Sequence, residues 1–129
     1  MKTKLQLPAI ILAMFLGACS TIMPGNDPVL VNAERVTSLS YTTFDSFFAL
    51  ERQQEVYVKA NLPAAHRFAN QLRGTAPKYL ASARAATEAY RLNRDEQNKA
   101  TLNTAIAILQ TALSQVQEYT IQIQTKGAP

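Results

Sequence analysis

Few side chains in this 129-residue chain are equipped for chemistry. There is one cysteine, Cys19, and one histidine, His66. No Cys, Asp or Glu stands at ligand spacing beside His66, and zinc needs three or four ligands, so no metal site is expected. Glu51 and Glu55 share a helical face, and Asp95 and Glu96 are neighbours. Paired carboxylates do acid–base work when a cleft separates their pKa values. A solvated helix face and a helix N-terminus account for these two pairs more simply. There is no glycine-rich phosphate loop and no cofactor motif. The chain is therefore expected not to be an enzyme and to hold no cofactor. Three cations remain, Arg73, Arg84 and Arg91, which one helix would present on roughly one side. Such a face suits anionic lipid or cell-wall polymer, each charge contributing about 1 kcal/mol beside an anionic surface. A plain solvated face fits the same spacing.

The most specific signal is the stretch MKTKLQLPAIILAMFLGACS, residues 1–20. Lys2 and Lys4 precede an uncharged apolar run from Ala9 to Leu16. That run is short of the roughly 20 residues a membrane-spanning helix needs. Its length and the small residues Gly17 and Ala18 fit a secretory signal. Leu16-Gly17-Ala18-Cys19 resembles the lipobox of bacterial lipoproteins at all four positions. The resemblance implies a diacylglycerol thioether on Cys19, cleavage between Ala18 and Cys19, and acylation of the new amino terminus. Burial of acyl chains contributes about 0.8 kcal/mol per CH₂, so two or three chains anchor firmly where one is marginal. Ser20 in place of an aspartate implies the outer membrane in a Gram-negative host. An ordinary signal peptide with an incidental cysteine is the competing reading.

These residues set the expected organisation. Residues 1–18 form a signal peptide, 19–30 a lipidated N-terminus and tether, and 31–126 a helical body. The body also resembles small Ala-rich helical lipoproteins of unassigned role. The formal net charge is +4, but Lys2 and Lys4 supply two of the 13 basic residues. Without them eleven cations face nine acids, which offers little to nucleic acid. An exported, lipid-anchored protein facing the periplasm from the outer membrane is the expected localisation.

Three long segments must carry the cations. From about Val31 to Asn61, Val36, Leu39, Phe44, Phe47, Leu50, Tyr57 and Val58 recur mostly at helical spacing. Asp27-Pro28 is a second candidate start, with proline at the first helical position. Glu51, Arg52, Glu55 and Lys59 are expected on a charged face. Asn61-Leu62-Pro63 reads as a stop and restart. Between Pro63 and Leu92 the stripe Ala65, Phe68, Leu72, Ala76, Tyr79, Ala83, Ala86 and Tyr90 keeps its phase across Gly74 and Pro77. One helix kinked near Gly74–Pro77 is favoured over two helices, because proline removes a hydrogen bond and crowds the preceding turn. Asn93 with Glu96 resembles a capping box. Leu102, Ile106, Leu109, Leu113, Val116, Thr120 and Ile123 give the clearest periodicity, ending at Lys126 and Gly127.

The expected fold is all-α, an antiparallel up-down-up three-helix bundle behind a signal helix and tether. Such stripes also suit a coiled-coil oligomer. The expected function is a membrane-anchored, non-enzymatic interaction or scaffold module in the cell envelope, with a protein partner or a second copy engaged. The alternative is an envelope-binding module working through the Arg73–Arg84–Arg91 face. The membrane is reached through the lipid anchor, and no nucleic acid is involved.

Overall fold

The computed structural model describes residues 27–127. They form four helices: α1 (Pro28–Gln53), α2 (Glu55–Asn61), α3 (Pro63–Leu92) and α4 (Glu96–Lys126). No strand occurs among the described residues. None of the helices among them is long and apolar enough to cross a membrane.

α1 begins a turn before Val31. The Asp27 carboxylate accepts from the Val29 amide at 2.8 Å, and Pro28 sits at the first helical position with its φ already set. Residues 28–30, expected in the tether, are therefore helical. α1 also ends earlier than Asn61. Gln54 leaves the helical region (φ −113°, ψ 24°), and α2 follows as a separate seven-residue helix. Backbone bonding is carried across the break, since Gln54 donates to Leu50 and accepts from Val58 at 2.8 Å. The second break falls at Leu62, where the following proline disfavours the helical region (φ −131°, ψ 58°). The first reversal is thus shared between Gln54 and Leu62.

α3 runs unbroken through Gly74 and Pro77. Pro77 has no N–H for the Arg73 carbonyl, so one helical hydrogen bond is missing there. The cap of α4 lies two residues beyond the expected Asn93. Asn93 is extended (φ −142°, ψ 106°) and closes α3 instead. Asp95 accepts from the Asn98 amide at 2.7 Å, and the Asn98 side chain returns to the Asn93 carbonyl at 2.8 Å. The first bond of a capping box is present with different residues, while the Asn98 side chain ties the helix start back to the end of α3 instead of to the cap's own N–H.

α1, α3 and α4 each pack against the other two. Tyr90 near the end of α3 donates to Asp27 at the start of α1, while Glu51 near the end of α1 meets His66 near the start of α3. These two helices therefore run in opposite directions. Phe68 of α3 stacks on Tyr119 of α4 at 4.9 Å, which pairs the start of one with the end of the other. α3 contributes Ala65, Ala69, Ala76, Ala83 and Ala86 to the shared core beside the larger Leu72, Leu80 and Tyr90, and α1 and α4 add Phe44, Phe47, Leu102, Leu109, Val116 and Ile123. Alanines let the neighbouring helices approach closely, so a large side chain facing them has little room to relax.

Two of the expected core positions on α1 lie one residue off the true register. The buried set is Ala33, Val36, Ser40, Phe44, Phe47 and Glu51, so Ser40 and Glu51 take places assigned to Leu39 and Leu50. Leu39 is exposed and Leu50 half-buried. On α3, Ala69 and Leu80 are buried while Phe68 and Tyr79 are partly covered. Truncating Leu109, which is fully buried, is expected to lower stability by about 2–5 kcal/mol in chemical denaturation. Gly74 has open space where a Cβ would stand, so Gly74→Ala is expected to raise stability by about 0.5–1 kcal/mol.

Candidate functional site

The most organised polar feature sits where α1 ends against the first turns of α3. Glu51 is only 1 % exposed, yet it was expected on a solvated face. It falls in the register of the buried stripe, four residues after Phe47. One carboxylate oxygen lies 2.7 Å from Nδ1 of His66, and the other pairs with the Arg73 guanidinium. Asn70 closes the circuit. Its amide nitrogen lies 3.2 Å from His66 Nε2, and its carbonyl oxygen accepts from Arg73 at 2.8 Å. An amide nitrogen can only donate, so Nε2 accepts and Nδ1 carries the proton given to Glu51. His66, expected at a surface or boundary, is thus built into a ring of four side chains.

A chain of aromatic rings begins at this ring of side chains and runs into the core. Arg73 lies 5.2 Å above the Phe48 ring. Phe47 contacts Phe48 and Phe68, with centroids 5.9 and 5.8 Å apart, and Phe68 continues to Tyr119. Burial pushes the Glu51 carboxyl up, and the hydrogen bonds from Arg73 and His66 together with the Arg73 charge outweigh it, leaving its pKa below the usual carboxylate range. Glu55 is held down by Lys59, its partner one turn later on the exposed face, as the sequence spacing indicated.

Arg73, Arg84 and Arg91 do lie along one side of α3, and each is engaged within the chain. Arg73 is tied to Glu51. Arg84 stacks on Tyr41 at 4.8 Å. Arg91 bridges Glu34 of α1 and Glu88 of its own helix. Their α1 partners Glu34, Tyr41 and Phe48 recur every seven residues, so the row is a seam between two helices. A groove of about 480 Å³ opens along it between Tyr41, Phe44, Asp45 and Phe48 on one side and Arg73, Ala76, Pro77 and Leu80 on the other. Asp95 and Glu96 occupy the start of α4, where Asp95 is the cap.

No group of three His, Cys, Asp or Glu side chains able to hold a metal occurs among the described residues. Cys19 and Ala18 lie outside the described residues. No protein-family model, curated protein or solved structure matches this chain.

The geometry of the ring predicts unequal costs for its members. Arg73 is 35 % exposed at its side chain and can turn to water when Glu51 is lost. Glu51 has no such outlet. Arg73→Ala is expected to cost about 3 kcal/mol, more than Glu51→Gln, as measured by urea unfolding at neutral pH. Because the folded carboxyl titrates below its unfolded value, its contribution is complete above the ordinary carboxylate range and is lost as pH falls through the folded pKa. Glu51→Gln should therefore flatten the acid limb of the stability–pH curve.

Proposed function

We propose that this chain is a membrane-anchored bacterial lipoprotein whose body serves as a non-enzymatic interaction or scaffold module in the cell envelope. The body is an antiparallel up-down-up three-helix bundle, bent near Gly74–Pro77, carried on residues 19–27. The observation that carries this reading is Leu16-Gly17-Ala18-Cys19 after an uncharged apolar run, followed within a few residues by a helix capped at Asp27. The tether delivers the body at that cap, close to a membrane surface. The outer membrane, facing the periplasm, is the proposed location.

A non-enzymatic role accords with how the polar groups are spent. Glu51, His66, Asn70 and Arg73 satisfy one another, and none of them is left with a free nucleophile or base beside a cavity. A partner protein or a second copy then becomes the target, through a surface instead of a reaction centre. The envelope-binding alternative would rely on Arg73, Arg84 and Arg91. Two of these already face carboxylates, which reduces what they can offer to a phosphate.

Cells grown with a palmitate analogue should label the wild-type chain and not Cys19→Ala. An unlabelled wild-type chain, or equal labelling of the variant, would remove the anchor. Arg84→Glu probes the alternative without touching the Glu51 ring. Membrane retention is expected to survive that change, and its loss would favour the basic face.

A further inference from the structure

We propose that the ring of Glu51, His66, Asn70 and Arg73 is a proton-operated clasp: it closes completely only around a neutral imidazole, and one proton taken up by His66 opens it at Asn70. The inference goes beyond the anchoring reading and does not depend on it. Its starting point is Arg73. A guanidinium has donors only, so the Asn70 atom lying 2.8 Å from Arg73 Nη1 must be the carbonyl oxygen. That fixes the other end of the same amide. Its nitrogen stands 3.2 Å from His66 Nε2 and can only donate, so Nε2 must offer a lone pair. Nδ1 then carries the single ring proton, which Glu51 accepts at 2.7 Å. Each member thereby dictates the protonation of the next.

Solvent reaches His66, whose side chain is 22 % exposed. An added proton has one place to go, Nε2, and it turns that acceptor into a donor facing a second donor. Asn70 has two responses. It can turn its nitrogen away to water, or it can reverse its amide, accept from Nε2–H and face Arg73 with donors. Either response gives up one of the two Asn70 bonds. Glu51 keeps both of its partners, because its contact with His66 runs through Nδ1–H, which the added proton leaves in place. The clasp therefore loosens at its exposed edge without leaving the buried carboxylate uncompensated.

The surrounding charges are few. α1 brings Glu51 itself and the exposed Arg52, and α3 brings Arg73 and the exposed Arg67. On α2, Glu55 is paired with Lys59. α4 carries Glu118 and Lys126 in its second half, both exposed. Only Glu51 and Arg73 are bonded into the ring. Histidine is the side chain that ordinarily changes charge between roughly pH 5 and 8, where carboxylates and guanidiniums ordinarily do not. The contact between α1 and α3 is thereby given two strengths, selected by one proton at one atom.

His66 is the only histidine, so nitrogen NMR on the full chain in detergent micelles reads it alone. At about pH 8 the ring should show a protonated Nδ1 and a bare Nε2. As the imidazole takes up its second proton, the Asn70 side-chain amide signals should move with the same midpoint. Asn70→Ala, at an exposed position, should lower the folding equilibrium constant several-fold while His66 is neutral, and by a clearly smaller factor once it is protonated, because one bond is then lost instead of two. A ring protonated at Nε2 at about pH 8 would overturn the proposal. So would an imidazole that titrates while the Asn70 amide stays still, one that fails to titrate above the carboxylate range, or an Asn70→Ala cost that is the same in both protonation states.

Discussion

Taking a carboxylate out of water is costly enough that Glu51, at 1 % exposure, must be met by protons and positive charge from another element. α3 supplies both, from His66 and Arg73, and Asn70 between them uses its two ends to join donor to acceptor. These contacts fix the register of α1 against α3 more sharply than alanine packing could. Ala65, Ala69 and Ala76 are interchangeable partners for a sliding helix, and a fourfold polar ring is not. The two breaks at Gln54 and Leu62 bring Glu51 and His66 together within fifteen residues of chain.

The opposite end is tied by another carboxylate. Asp27 caps α1, accepts from the Tyr90 hydroxyl at 3.0 Å and lies 3.5 Å from Arg94. Burial raises its pKa and the hydrogen bonds from Val29 and Tyr90 more than reverse that, leaving it below the ordinary aspartate value; Tyr90 is shifted up, first by burial and then by the same bond. Between these two polar ends the contact is mainly apolar, through Phe44, Leu72 and Leu80, with Arg84 on Tyr41 at its edge. Specificity therefore resides at the termini of the helices and bulk cohesion in the middle.

Helix type was legible because apolar spacing of threes and fours survives in each long segment, whereas the break at Gln54, which makes four helices of three segments, left no mark in that spacing. α4 reads most cleanly, since Leu102, Ile106, Leu109 and Val116 are both apolar and buried. The ring was not legible in the same way. Ser40 and Glu51 are polar, so hydrophobic periodicity moved the α1 stripe onto Leu39 and Leu50. A signal existed: Ala33, Val36, Phe44 and Phe47 continue in phase to residue 51. An acid in that phase calls for a base, and a histidine and an arginine follow in the first three turns of α3. The arginine row was correctly placed on one side of α3, but no spacing along α3 reveals that Glu34, Tyr41 and Phe48 wait opposite. Such pairing depends on how two helices meet. The cap at Asp95 was displaced because Asn93 and Asp95 are both good capping residues, and the choice turns on Asn98 reaching back.

The position of Asp27 has a mechanical consequence. Tension arriving along the preceding residues would enter at a side chain held simultaneously by the first turn of α1, by the end of α3 and by Arg94 in the loop before α4. Load is thereby divided among three elements at the point of entry, and no single helix is peeled from its end.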